Sequence, residues 1–486
     1  MKTAKRAKDR RSVIIERHEF KPQEECGIFG MACKESRDIA QDIYFGLYAL
    51  QHRGQESAGI AVQYECRKVS YSKKMGLVSE VFPQRRLSEF PSARTGVGHV
   101  RYSTTGSSNV ANAQPVVFYG RYGRTAVAHN GNIVNCDRIK SRMIKNGHIF
   151  QCSIDSEVIA ALINQYSEES LEAGVKKACG EIVGAFSILI MADDKLIALR
   201  DPLGLKPLCM GKLNDDIIFS SESCAIDALG GTEIRDIMPG EIVTVEKDLT
   251  VRSTMLDGVI KRRSCIFEYV YLARSDSRID GVNVYDARYE CGRMLASLCK
   301  IDADAVAGVP DSAIVSARGY SEVSGIPYTD ALSKNRYIGR TFIQPSQSMR
   351  ENSVKVKLNA IKANIMGKRL ILIDDSIVRG TTSRKIVQLL RDNGAAEVHM
   401  VIASPVVAFP CFFGVDMESK DKLIGGHQGS DAICKAIGAD SLHYMPMELM
   451  VKACGGQKSD FCTACFDGDY PLDLSDYNLD KFVLEL

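Results

Sequence analysis

Apolar and polar positions along this chain follow two different rhythms. Early on, Ile39, Ile43, Leu47 and Leu50 recur at helical spacing and predict one amphipathic helix. From Cys26 to about residue 260 the remaining apolar residues fall in short runs between Gly-rich turns. Thr125–Ala128, Phe186–Ile190 and Glu241–Val245 read as strands, interleaved with helical blocks in no regular alternation. That pattern predicts a layered fold with sheets inside and helices outside. After Lys261 the rhythm changes. Ala305–Val309, Leu370–Ile373 and Val398–Ile402 are continuous apolar runs of buried-strand type. A helix is predicted over 382–393, with Ile386, Leu389 and Leu390 inward and Gly394 as its stop. Strand, helix and strand in that order make a βαβ unit of a mostly parallel, doubly wound α/β sheet.

The patterning divides the 486 residues into an arm (1–25), a first domain (26–260), a second domain (261–445) and a carboxy-terminal extension (446–486). The arm carries eight basic and five acidic residues around Val13-Ile14-Ile15 and reads as a solvated or removable leader. Its acids argue against a transit peptide. Lys plus Arg is 62 and Asp plus Glu is 60, and without the arm the counts are 54 and 55. A balanced surface gives no footprint for nucleic acid or a membrane surface. The longest apolar stretch, Ala185–Ala192, is far below the ~20 residues a membrane span needs. Sixteen irregularly spaced cysteines with no secretory signal before them point to reduced thiols in the cytoplasm. Cys33, Cys66 and the other isolated cysteines are expected in cores. Cys462 and Cys465 have the spacing of a half-site for zinc, an iron–sulfur cluster or a redox pair, and spacing alone leaves the three open.

The most informative string joins the Leu370–Ile373 strand to the following helix: Leu370-Ile-Leu-Ile-Asp-Asp-Ser-Ile-Val-Arg-Gly-Thr-Thr382. Asp374 and Asp375 stand at the carboxyl end of a strand, where open α/β sheets bind ligands. Ser376, Arg379, Gly380, Thr381 and Thr382 lead into a helix amino terminus, whose N–H groups and hydroxyls suit a phosphate. Carboxylates beside a phosphate cradle suit a sugar phosphate. The Walker pattern is absent, which disfavours nucleotide hydrolysis.

This string resembles the loop by which phosphoribosyltransferases hold 5-phosphoribosyl-1-diphosphate (PRPP). Further matches are Glu25-Cys-Gly-Ile-Phe-Gly30, Gln51-His-Arg-Gly-Gln-Glu-Ser-Ala-Gly59, His99-Val-Arg-Tyr-Ser-Thr-Thr-Gly106, His129-Asn-Gly-Asn132 and Ser153-Ile-Asp-Ser-Glu157. Taken together they resemble the glutamine PRPP amidotransferases, or amidophosphoribosyltransferases, from Glu25 to about Pro471. The resemblance implies a layered αββα glutaminase domain of the N-terminal-nucleophile class, followed by a phosphoribosyltransferase domain. It implies an enzyme that converts PRPP, glutamine and water to 5-phosphoribosylamine, glutamate and pyrophosphate, the opening step of purine synthesis.

By the same resemblance Cys26 is the catalytic thiol and must become the amino terminus, which makes residues 1–25 a propeptide. A thiol with a pKa near 8.5 needs a base, and its own α-amine can serve. Arg101 would clamp the glutamine carboxylate and Asp155 its ammonium, with Asn130 and Gly131 as oxyanion hole. PRPP would meet Asp374, Asp375, Ser376, Arg379, Gly380, Thr381 and Thr382. It would also meet Arg340, within a basic lid over 335–344 that contains Gly339, precedes Pro345 and is followed by Arg350, Lys355 and Lys357. Magnesium would sit by Ser312, Asp374 and Asp375. One branch of the family carries a 4Fe–4S cluster at positions matching Cys265, Cys411, Cys462 and Cys465, with Cys454 as a nearby competitor. A homotetramer with purine-nucleotide feedback is also implied. Two departures stand out in Arg200-Asp-Pro-Leu-Gly-Leu-Lys-Pro207: Arg is expected at Lys206, and a polar or aromatic residue at Leu203. Two rival readings are a glutaminase serving another acceptor, disfavoured by the PRPP loop, and a ligand sensor without turnover, disfavoured by the intact nucleophile set.

Overall fold

A computed structural model describes residues 25–102, 107–258, 260–335, 358–417, 419–479 and 484. In the first half, thirteen strands form two antiparallel sheets. They are β1 (Gly27–Arg37), β2 (Ser57–Tyr64), β3 (Lys68–Met75), β4 (Ala93–Arg101), β5 (Val116–Gly120), β6 (Gly123–Ile133) and β7 (Gly184–Ala192). They continue with β8 (Lys195–Arg200), β9 (Cys209–Leu213), β10 (Asp216–Ser220), β11 (Thr232–Asp236), β12 (Glu241–Val245) and β13 (Val251–Met255). One sheet runs β11-β9-β10-β1-β4-β2-β3 and the other β13-β12-β8-β7-β6-β5.

Alternation along each strand serves two cores at once. On β1, Ile28 and Ala32 face the space between the sheets, whereas Phe29, Met31 and Cys33 face outward onto the predicted helix, which spans Ile39–Ala49. On β7, Leu189 and Met191 face inward, while Phe186, Ile188 and Ile190 pack under the helices Cys136–Lys145, Asp155–Tyr166 and Leu171–Glu181. Both faces being covered, the 185–192 run is apolar throughout. The result is the expected αββα stack.

The second half holds a four-stranded parallel sheet: Ala305–Gly308, Arg369–Asp374, Glu397–Ile402 and Ser441–Tyr444, adjacent in that order. The helices Ile314–Ser324, Thr381–Asp392 and Ser430–Ile437 lie on its three crossovers. Thr381–Asp392 begins one residue earlier than the spacing predicted, because Gly380 takes a left-handed conformation and starts it. Val387 rather than Leu389 fills the inward position beside Ile386 and Leu390. Described residues beyond 446 pack onto the rest of the second half. Met450, Val451, Phe461 and Phe466 join the core of the second half, and Phe461–Cys462 pairs in parallel with Ser264–Cys265. Cys66 departs from expectation: it is exposed, in a left-handed turn between β2 and β3. No helix among the described residues is long and apolar enough to cross a membrane.

Candidate active site

Cys26 stands at the start of β1, 6% exposed. Its thiol donates to the Tyr102 carbonyl at 3.4 Å. Burial pushes the thiol up to about 11, with Arg101 opposing and Asp155 and Glu25 adding to the rise. At pH 8 roughly one molecule in a thousand then carries a thiolate, too few for efficient attack without a base. The predicted residues converge on this thiol. Arg101, 2% exposed, closes β4, and Asp155, 6% exposed, opens the helix Asp155–Tyr166. Burial alone would raise the Asp155 carboxyl, yet His129 beside it and the Ile133 N–H, donating at 3.1 Å, hold it below its ordinary value.

Asn130 and Gly131 lie on β6, paired with Ser187 and Phe186 of β7. The Asn130 Nδ2 is buried with no hydrogen-bond acceptor, as suits a donor kept for a developing oxyanion. Gly131 has φ +150°, and a Cβ there would lie 1.9 Å from the Ala185 carbonyl oxygen.

Cys26 sits where the two halves meet. Arg53 Nε donates to the Cys26 carbonyl at 3.1 Å. Its other nitrogens bind Glu25 Oε2 at 2.9 Å, Glu222 Oε1 at 2.6 Å and both oxygens of Glu268. All four side chains are 1% exposed or less. Glu222 also accepts from the Arg274 N–H at 2.9 Å and the Ser277 hydroxyl at 2.6 Å, both in the second half. The carboxyls are graded. Burial would raise each, but His52 and Arg53 hold Glu222 low, whereas burial, with Glu25 adding its like charge, keeps Glu268 high. From the second half, Phe412 O accepts from Asn132 Nδ2 at 2.9 Å, and Asp416 accepts from the Tyr102 hydroxyl at 3.1 Å.

The second site is at the carboxyl end of the parallel sheet. Asp374, Asp375 and Ser376 are all buried. Asp374 Oδ1 accepts the Asp375 N–H at 2.9 Å, Asp375 Oδ1 accepts the Ser376 hydroxyl at 2.8 Å, and the Ser312 hydroxyl donates to Asp375 Oδ2. Ser376, Arg379, Gly380, Thr382 and Ser383 line a small pocket at the start of the Thr381–Asp392 helix. Thr381 is exposed at its first turn. Arg340 and the predicted lid beyond Asn335 lie outside the described residues.

Two family models match the chain: a glutamine amidotransferase domain over residues 99–228 and a phosphoribosyl transferase domain over 290–404. Amidophosphoribosyltransferase of Methanocaldococcus jannaschii is 46% identical over 93% of this chain and 98% of its own length. The chain belongs to the amidophosphoribosyltransferase family. The Bacillus subtilis amidophosphoribosyltransferase is 44% identical over 93% of this chain and 95% of its own length. A solved structure of the allosteric regulatory enzyme of purine biosynthesis superposes with TM-score 0.88 at 43% identity, covering 93% of this chain and 98% of that one. The glutamine PRPP amidotransferase of B. subtilis, solved with ADP and GMP, superposes at 0.87, also with 43% identity, covering 93% and 99%. This member of the family is thus an enzyme with a glutamine amidotransferase half and a phosphoribosyltransferase half in one chain.

The four cysteines that the sequence resemblance offered as cluster ligands gather at the junction. Cys265 is paired in register with Cys462, and Cys465 lies within electrostatic reach of Cys265, Cys411 and Cys462. Burial pushes all four thiols up. Among the described residues no three His, Cys, Asp or Glu side chains converge as a single-ion site. Cys454 is apart from the group, facing Cys291 and Arg288.

Sequence reasoning missed Arg53, Glu222 and Glu268, whose partners are 169 and 215 residues apart in the chain. The Gln51–Gly59 motif contained Arg53 but gave no sign of what it binds. The two departures have local reasons. Lys206 is buried against Glu25, and Leu203 packs with Phe413 and Tyr470 in an apolar junction.

Proposed function

We propose that this chain divides the family's reaction between the two sites described above. Once residues 1–25 are removed, the Cys26 α-amine accepts the thiol proton as sulfur adds to the glutamine carboxamide carbon, and returns it to the departing ammonia. Water then cleaves the thioester, releasing glutamate. Arg101 holds the substrate carboxylate and Asp155 its ammonium, while Asn130 Nδ2 and the Gly131 N–H meet the oxyanion. Ammonia passes across the junction to the second site and displaces pyrophosphate from PRPP, giving 5-phosphoribosylamine. There Asp374 and Asp375 hold the ribose, and Ser376, Arg379, Gly380, Thr381 and Thr382 hold its phosphate, with Arg340 on the pyrophosphate.

The carboxylates and the Ser312 hydroxyl are hard oxygen donors that suit magnesium, which when bound would neutralise charge on the leaving pyrophosphate. Cys265, Cys411, Cys462 and Cys465 suit a structural 4Fe–4S cluster. Their thiolates are soft donors brought together at one junction, the ligand type an iron–sulfur cluster takes. Sixteen cysteines without a disulfide fit a cytoplasmic enzyme. A homotetramer under purine-nucleotide feedback completes the reading, and the ADP- and GMP-bound relative supports the feedback.

The observation that carries the proposal is the buried Cys26, whose thiol donates to Tyr102, a residue that itself bonds Asp416 of the second half, together with an unspent Asn130 amide. The test is glutamate release by anaerobically purified, leader-free protein, with and without PRPP and magnesium. Strong stimulation by PRPP is expected. Equal release in both conditions would support an uncoupled glutaminase, and no release in either would support a sensor.

A further inference from the structure

Glu25, the residue before the nucleophile, was assigned to the leader, yet it is 1% exposed. Each oxygen of its carboxylate has its own buried cation: Arg53 donates to Oε2 at 2.9 Å, and Lys206 Nζ donates to Oε1. Burial alone would raise this carboxyl, and the two cations bring it below its ordinary value. Arg53 straddles the Glu25–Cys26 bond, since its Nε also donates to the Cys26 carbonyl. Lys206, 1% exposed, reaches Glu25 through space that Gly414 leaves open. A Cβ on Gly414 would lie 3.0 Å from Nζ, and its φ of +110° favours glycine. Burying ions in this way is unfavourable unless each is paired. A residue destined to depart has no need of such an arrangement unless it serves the chain before departure.

We propose that Lys206 and Arg53 form a carboxylate socket that reads Glu25 and holds the Glu25–Cys26 peptide bond in place for hydrolysis. The inference rests on the reading that residues 1–25 are removed. The step needs only water: the C–N bond breaks, the water oxygen goes to the Glu25 carbonyl carbon as carboxylate, and the nitrogen becomes the Cys26 α-amine. Lys206 is then a specificity-determining residue for maturation. After the cut it loses Glu25 and keeps Glu268, Cys265 and Cys411 within electrostatic reach.

The test follows the fraction of full-length chain carrying Cys26 as its amino terminus, by intact mass at successive times after synthesis is stopped. Lys206→Met is expected to slow the cut at least tenfold. Lys206→Arg, which keeps a cation, is expected to stay within about threefold of the parent chain. Should Lys206→Met alone fail to fold, the pair Glu25→Gln/Lys206→Met leaves no orphan charge, and ammonia-dependent phosphoribosylamine synthesis reports its fold. Slow cutting in that folded pair supports the socket; cutting at the parent rate in it, or in Lys206→Met, overturns the socket. A parent chain never cut at this bond would instead overturn the leader reading itself.

Discussion

Gly131→Ala offers a sharp test of the oxyanion assignment. The new Cβ would lie 1.9 Å from the Ala185 carbonyl oxygen and 2.9 Å from His129 Nε2. Strand β6 would have to retreat from β7 by about 1.1 Å merely to reach a 3.0 Å contact. The left-handed backbone adds roughly 1–3 kcal/mol for a residue with a side chain. Oxyanion donors act at about 2.7–3.1 Å, so a displacement above 1 Å takes the Gly131 N–H, and Asn130 beside it, out of range. Loss of one such donor lowers turnover by about 10²–10³, or roughly 2.7–4 kcal/mol in the barrier. Glutamine-dependent synthesis is therefore expected to fall at least a hundredfold. Ammonia-dependent synthesis, which bypasses this site, should stay within about twofold. Both rates are measured on the same preparation as pyrophosphate release. Retention of glutamine-dependent activity within threefold of the parent would refute the placement of the oxyanion hole on β6.

Two further outcomes follow from the geometry. His99 is wholly buried, and its Nε2–H donates to the His129 carbonyl at 3.0 Å; burial lowers it from 6.5 to about 3. The unfolded chain binds that proton first, so stability falls as pH drops below 6.5 and continues to fall towards 3, by up to about 1.4 kcal/mol per pH unit. His99→Asn keeps a donor without the titration, and urea unfolding between pH 6 and 4 should show a shallower slope; equal slopes would contradict the assignment. For the cysteine group, Cys465→Ser is expected to take bound iron in anaerobically purified protein from about four per chain to near zero. Equal iron in parent and variant, or zinc in its place, would exclude the cluster.

The parts that were legible in the sequence share one property: their information is local. The Ile39–Leu50 periodicity gave its helix, and the thirteen-residue string ending at Thr382 gave strand, loop and helix start together. What stayed hidden depends on distant pairing. Nothing near Phe29 announces that it lies opposite Ser220, and the continuous apolar run of β7 tells that both faces are buried without telling what covers either. Cys66 misled because cysteine is usually buried, whereas here a tight turn between two strands carries it outward. Glu25 misled for the opposite reason. It follows a charged arm, and its two cations come from residues 28 and 181 positions further along the chain.

The apolar junction draws on three stretches of chain: Val134, Ala185 and Leu205, then Phe413, then Cys462 and Ala464. Synthesis on the ribosome delivers these in order, at about 5–20 residues per second. The last of them emerges some 260 residues after Leu205, roughly 13–52 seconds later. For most of that interval the nascent amino-terminal half holds Cys26 but lacks the Phe412–Asp416 segment, and throughout it lacks the tail. The chain thereby sets its own timing. The contacts that close the Cys26 side of the molecule against the second half therefore form only after most of the chain has been made.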